Sequence, residues 1–357
     1  MDKFIGFDID HKNTVACITQ AGQDDCYTKL ETEVSVLRQW LQAQRQPGDR
    51  LHLTFEVSGL SGFLYDHLVD VVDRLEVSNP TKLSWIYRTA KKNDRIDARK
   101  QAVLLSMDEI PRVHMPSKAV REWRRTIQHR RNLVNTMTQT KNRIRSLLKS
   151  QGLKRSDRGG WWNGTNRAWM RQEAEREGAP WREVLGDLLD TLELQERQLK
   201  RVTRRLDARL EKLPGAWLLM TIPGVGPRTV EAVLAYTDEV SRFSRAKQFG
   251  AYFGLTPRLD ESGSRQRMGH ISKQGPSVVR WLIVESAWRA IRHSPALRAF
   301  YERVMHGQKQ RNKIAIVATA RKLLTIMRAM LMTGEVFNET RVSEQAVPGR
   351  RSRACVA

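Results

Sequence analysis

The chain has 357 residues, room for two or three units of ordinary domain size, each able to bury a core. Its 62 Lys and Arg outnumber 39 Asp and Glu, and the resulting net charge of +23 favours polyanionic partners through counterion release at phosphates. A lipid-bound protein would need an apolar anchor, but the best candidate, Ile314 to Met332, is interrupted by Arg321, Lys322 and Arg328. The first apolar stretch is short and carries Asp8 and Asp10, so no signal peptide is expected. Cys17, Cys26 and Cys355 form neither a disulfide framework nor a CxxC pair. These features point to a cytoplasmic, nucleoid-associated protein with a nucleic-acid partner and no membrane partner.

Residues 1–116 alternate between strand and helix signals. Lys3–Asp8 and Thr14–Thr19 read as two strands of a hairpin. Glu33–Gln44 has helical spacing of Val34, Leu37, Trp40 and Leu41. Leu51–Phe55 is a third strand ending at Glu56. Ser61–Arg74 reads as helix, and Leu75–Ser78 as a short strand closed by Asn79-Pro80. Asp94–Met107 starts polar and continues as an apolar helical face. A hairpin followed by alternating helices and strands predicts an α/β sheet domain of ribonuclease H type.

Residues 117–213 change character. Val120–Gln151 is a long Arg-rich helical pattern, and Trp181–Leu213 is a second, with Leu at helical spacing. The connector between them contains Gly159-Gly160-Trp161-Trp162-Asn163-Gly164, so a helical hairpin or coiled-coil arm is expected. The second helix mixes both charge signs with Leu, which favours self-association. Residues 214–335 form a mostly helical third unit. Ile222–Pro227 leads into a helix over Arg228–Tyr236, Gly254–Gly275 is loop-rich, and helices follow over Pro276–Arg292 and Lys313–Met332. Residues 336–357 read as a basic tail that is disordered or orders on nucleic acid. The fold class is therefore α/β plus all-α.

Four acids stand out. Asp8 and Glu56 each lie where a strand pattern runs out, so both can project at one sheet edge if those strands are neighbours. Asp94 and Asp97, three apart at a helix start, share one helix face near the positive end of its dipole. Four gathered carboxylates require cations, and oxygen-only ligation suits Mg²⁺ or Mn²⁺, in a pair that clamps a phosphodiester. Acids in such places also serve as solvated residues or caps.

Basic residues crowd the first long helix with few acids among them. Arg124, Arg125, Arg131, Lys141 and Arg145 are the candidates for tracking phosphates. Gly224 and Gly226, ahead of a helix, match a helix-hairpin-helix element whose glycines admit a phosphate, or a plain helix–helix turn. Trp161, Trp162 and Trp169 can stack on unpaired bases or dock a loop on their own protein.

In order along the chain, Ile5–Asp8, Phe55–Gly59 and Lys92–Arg99 resemble the three acidic motifs of the DEDD transposases of insertion-sequence family 110, including its 1111 branch. Ile222–Gly226, Phe253–Arg258, Glu261–Ser264 and Ala320–Leu323 resemble that family's second domain. The match is collinear and covers nearly the whole chain, the tail excepted. The resemblance implies a bacterial or archaeal RuvC-like domain with Asp8, Glu56, Asp94 and Asp97 as the metal-binding tetrad, holding two Mg²⁺ ions, or Mn²⁺. It also implies a C-terminal transposase domain with Ser262 as nucleophile. The implied partners are double-stranded DNA at the element ends and target, a guide (bridge) RNA, and further copies of the chain in a homodimer or homotetramer. In that family the tetrad and serine come from different subunits. The sequence departs from the family at Asp10-His11-Lys12, which leaves Asp10 as an alternative to Asp8.

Ser262 lies in a polar segment with Arg258, Arg265 and Arg267, which can stabilise charge on phosphate oxygens. No His stands at a diagnostic spacing, so activation through the tetrad's metals is the expected route to a nucleophilic hydroxyl. Ser264 is the alternative nucleophile, and a plain turn serine the alternative role. The rival functions are a RuvC-like Holliday-junction or DDE-type nuclease using metal-activated water, and a non-catalytic nucleic-acid-binding protein.

Overall fold

In the computed structural model, β1 (Asp2–Ile9) and β2 (Asn13–Thr19) form the antiparallel hairpin that the sequence predicts. Residues 1–86, 93–154, 160–262 and 265–344 are described, with the side chains of 84–86, 259–268 and 344 outside that description. The chain divides into two compact units, Met1–Arg121 and Glu122–Ala357.

In the first unit, β3 (Cys26–Glu31) adds to β2, and α1 (Val34–Ala43) leads to β4 (Arg50–Glu56), which pairs parallel to β1. α2 (Ser61–Leu68) returns the chain to β5 (Arg74–Ser78), parallel to β4, followed by α3 (Pro80–Ile86) and α4 (Asp94–Ser106). The five strands lie in the order β3-β2-β1-β4-β5. Strand alternation sorts their side chains. Ile5, Phe7, Leu51 and Phe55 pack with Leu37, Leu41, Leu64 and Leu68 of α1 and α2. Gly6 faces the other way, against α4, and Phe4 packs there with Leu104 and Leu105.

The second unit begins with α5 (Lys118–Ser150), whose first residues belong to the first unit, and continues with α6 (Gly164–Glu175) and α7 (Pro180–Leu210). α6 is a helix in the segment expected to be only a connector. Arg167 ties it to α7 through two hydrogen bonds to Glu196, at 2.7 and 2.6 Å. The far half of the arm has its own core of Ile144, Leu148, Met170, Leu185, Leu189 and Leu192. The near half, with Trp123, Ile127, Leu133, Val202 and Leu206, shares the core of the C-terminal helices. The arm and the C-terminal helices thus form one packed unit.

Those helices are α8 (Pro214–Met220), α9 (Pro227–Thr237), α10 (Ala246–Tyr252), α11 (Ser277–His293), α12 (Pro295–Met305) and α13 (Asn312–Thr333). Between α10 and α11, β6 (Pro257–Ser262) and β7 (Arg265–Ile271) form an antiparallel hairpin in the region read as loop. Part of the expected disordered tail is also ordered. α14 (Glu339–Glu344) packs against α12, and Glu339 accepts hydrogen bonds from Ser294 Oγ at 2.8 Å and Ala296 N at 2.6 Å. The remaining tail, 345–357, lies outside the described residues. No described helix is long and apolar enough to cross a membrane.

Candidate active site

Phe7 and Phe55 are register partners in the parallel β1–β4 pair, so Asp8 and Glu56 follow as the next residues at the C-terminal ends of adjacent strands. Because Phe7 and Phe55 face α1 and α2, alternation turns Asp8 and Glu56 toward α4. The strand-end expectation for these two acids therefore matches the backbone.

α4 is held over them by a buried polar bolt that sequence reasoning missed. Gln101, 2% exposed, donates from Nε2 to the Phe7 carbonyl at 3.1 Å, and its Oε1 stands 3.5 Å from Ser78 Oγ. Ser78 Oγ donates in turn to the Phe55 carbonyl at 3.3 Å. The peptides preceding both acids are thereby tied to one helix. The sequence signal is a glutamine between Ala98 and Ala102, on the face that meets the sheet. Asp97 lies one turn before Gln101 on the same stripe.

The tetrad is not fully gathered. Asp97 Oδ1 pairs with Lys100 Nζ at 3.0 Å. Asp94, at the first position of α4 behind the N-cap Asn93, lines a groove of about 360 Å³ with Val15, Tyr27 and Lys29, beside β2 and β3. Among the described residues, no three His, Cys, Asp or Glu side chains converge closely enough to hold a metal ion. The donor set itself, carboxylates only at the ends of adjacent strands, fits a hard divalent cation. Asp10 follows β1, and its amide donates to the Asn13 carbonyl at 2.9 Å in the β1–β2 turn.

In the second unit, Ser262 is the last residue of β6 and stands opposite Arg265 in register, with Asp260 opposite Arg267. Ser264 lies outside the described residues, as do the side chains of Ser262, Arg265 and Arg267. Arg258, near the start of β6, is exposed. The hairpin's base is pinned by two left-handed glycines. A Cβ on Gly254 (φ +69) would lie 2.1 Å from the Gln274 carbonyl oxygen, and one on Gly275 (φ +69) 2.1 Å from that of Tyr252.

The expected nucleic-acid residues divide by environment. Arg124 donates to the carbonyls of Ala235 at 2.8 Å and Tyr236 at 3.2 Å, at the end of α9, and burial holds its pKa below the usual range. It is committed to the fold. Arg125 and Arg145 are exposed. Lys141 stands 5.2 Å from the Trp162 ring centroid and 3.8 Å from Glu196, inside the arm's own contacts. Arg131 stacks on Trp281 at 5.1 Å. Gly224 (φ +80) is required by packing, since a Cβ there would lie 2.5 Å from Ala290 N of α11, whereas the space at Gly226 is open. Trp161, Trp162 and Trp169 pack against the arm's core.

Comparison with known proteins places these features in a family. Residues 216–302 match the model described as the transposase IS116/IS110/IS902 family, and residues 5–151 match the DEDD transposase model of IS110. A probable family 20 transposase of Pseudomonas aeruginosa is 30% identical over 254 residues, covering 69% of this chain and 73% of that protein. The transposase for insertion sequence element IS1111A of Coxiella burnetii is 26% identical over 260 residues, 70% of each chain. A pilin gene-inverting protein of Moraxella lacunata is 26% identical over 355 residues, 94% of this chain and 98% of that one. The two family models match in order along the chain, and the chain belongs to the IS110 family of insertion-sequence transposases.

Proposed function

We propose that this transposase cuts and rejoins DNA through a serine nucleophile, with Asp8, Glu56, Asp94 and Asp97 holding divalent metal, and with a guide RNA selecting the DNA. The observation that carries the carboxylate half is the register of Asp8 and Glu56 on β1 and β4, with α4 bolted across them by Gln101. The strand order β3-β2-β1-β4-β5, with an antiparallel hairpin followed by parallel strands, supports a ribonuclease H type, RuvC-like reading of this unit.

Mg²⁺ bound there would supply Lewis-acid polarisation of the scissile phosphate and stabilise an alkoxide. The chain's own residues do the rest. Gln101 and Ser78 fix the backbone before the two strand-end acids, so the carboxylates are oriented before substrate arrives. Lys100 neutralises Asp97 until a metal competes for that carboxylate. Ser262 Oγ forms a bond to phosphorus as the bond to the bridging deoxyribose oxygen breaks. The serine proton ends on the departing oxygen. A free DNA hydroxyl then attacks the phosphoserine and returns the proton to Ser262. Arg258, Arg265 and Arg267 supply positive charge for the phosphate oxygens, and Arg125 and Arg145 for flanking phosphates. As the family resemblance implies, the tetrad of one copy and Ser262 of another complete the site in a homodimer or homotetramer.

The test is to incubate the full chain with Mg²⁺, RNA from the element's flank and labelled element-end DNA, and look for a denaturation-resistant adduct. An RNA-dependent adduct that disappears in Ser262→Ala and Asp97→Ala is expected. Cleavage without an adduct, unaffected by Ser262→Ala, would move the protein to the water-using nucleases.

A further inference from the structure

A cavity of about 210 Å³ lies between α5, α9 and α11 in the second unit, and neither Ser262 nor any of the four acids lines it. Its polar lining is Arg130, Arg131, Asn135, Arg228 and Glu231, with Trp281 at its rim. Glu231 is only 1% exposed, yet its Oε2 has no hydrogen-bond partner. Arg228 Nη1 sits 2.9 Å from that oxygen in an ion pair whose angles do not make a hydrogen bond, and it too lacks one. Arg131 Nη1 is a third buried polar atom without a hydrogen-bond partner, on the guanidinium that stacks over Trp281. Buried polar atoms are ordinarily satisfied, so Arg131 Nη1, beside an Arg228–Glu231 ion pair that makes no hydrogen bond of its own, leaves this cavity with hydrogen-bonding capacity that the protein atoms do not use.

The lining limits what that ligand is. The volume is below the roughly 300–1,000 Å³ of drug-sized sites, so it suits one small planar group. Glu231 repels a bare phosphate or carboxylate, while the surrounding guanidinia favour a ligand that carries a phosphate outside the cavity. An indole, 49% exposed, and a guanidinium both stack on nucleobases. Adjacent donor and acceptor atoms match the paired acceptor and N–H groups along a base edge. We propose that this cavity receives one unpaired nucleobase of a bound strand, stacked at Trp281 and read along its edge by Arg228 and Glu231. The inference rests on the reading of the chain as a DNA-handling enzyme and names a substrate feature, an extrahelical base, that the carboxylate and serine chemistry does not require.

The experiment measures binding of the full chain to two fluorescein-labelled DNA duplexes, identical except that one carries a single bulged 2-aminopurine. Wild-type protein should prefer the bulged duplex by about ten-fold, the scale of one base–aromatic stack, and should quench the 2-aminopurine. Trp281→Ala should abolish the preference while leaving affinity for the fully paired duplex unchanged, and Trp281→Phe should keep most of it. Equal wild-type affinity for both duplexes, or a preference that survives Trp281→Ala, overturns the base site and leaves the transposase reading intact. Binding to neither duplex, even with RNA from the element's flank present, would overturn the base site and count against the proposed RNA-guided DNA handling.

Discussion

Gly6 of β1 lies so close to α4 that a Cβ on it would stand 2.0 Å from the carbonyl oxygen of Ala98 and 2.7 Å from the amide of Ala102. Both obstacles are backbone, so neither a rotamer change nor a flexible side chain can relieve the contact. This approach lets α4 lie against the strand that carries Asp8 near its C-terminal end. Gly6→Ala should lift the helix and cost about 3 kcal/mol, the upper end for overpacking. Thermal unfolding and DNA cleavage check it. A variant with unchanged melting and full activity would show that α4 need not approach so closely.

The Gln101 bolt has a narrower consequence. Gln101→Leu keeps the volume but removes the bond to the Phe7 carbonyl and leaves that oxygen buried, a loss of about 1–3 kcal/mol. Its role is positioning, so the metal concentration for half-maximal cleavage should rise more than the DNA affinity falls. Equal changes in both would reduce Gln101 to a purely structural residue.

Lys100 bears on the same site from the opposite direction. In Lys100→Met the Asp97 carboxylate loses its partner, and repulsion among the acids increases without metal. Mg²⁺ should then raise the melting temperature more than it does in the wild-type protein, because it relieves a larger repulsion. Differential scanning with and without Mg²⁺ reads this directly, and an equal rise in both proteins would count against it.

Arg124 and Arg125 are sequence neighbours with opposite expectations. Arg124→Ala removes two charge-assisted bonds to carbonyls at the end of α9 and should lower stability by about 2–3 kcal/mol. Arg125→Ala should leave stability unchanged but reduce the salt dependence of DNA binding by about one phosphate contact. A pair of salt titrations and melts separates them, and exchanged outcomes would mean that burial is a poor guide to which arginines meet DNA.

Burial pushes the pKa of Glu231 up to about 7, against the opposing pull of Arg228 and Arg130. The unfolded-state value is near 4.5, so the folded state holds the proton more tightly. Its stabilising contribution is therefore present below about pH 4.5 and lost as pH rises to about 7, on the order of 3 kcal/mol. Glu231→Gln should show a stability advantage over wild type that grows across this interval and levels off above it. An advantage independent of pH would mean that Glu231 stays ionised throughout.

The strongly patterned elements are legible in the amino-acid sequence. The β1–β2 hairpin, the strand ending at Glu56, α4 and the long arm helices follow from periodic apolar residues, which bury one face whatever surrounds them. Other elements are not legible in this way, β3, β6, β7 and α6 among them. β3 (Cys26–Glu31) is an edge strand of mixed polarity, and β6 and β7 are polar and charged for most of their length, so none shows a clear apolar alternation. α6 is masked by the glycines and tryptophans that precede it, and it takes its place from its contacts with α7.

The candidate site divides along the same line. Composition and strand patterning give a strongly basic chain with acids near the ends of two of its strands, and motif order resembles the family that the comparisons show. Tertiary packing is what makes Asp8 and Glu56 register neighbours and holds α4 over them through Gln101 and Gly6. It also commits Arg124 to the fold while Arg131, Arg228 and Glu231 converge on a cavity. The physical reason is that composition and periodicity are local properties. Register, close backbone approach and the company a buried charge keeps depend on residues tens to more than a hundred positions apart in the chain.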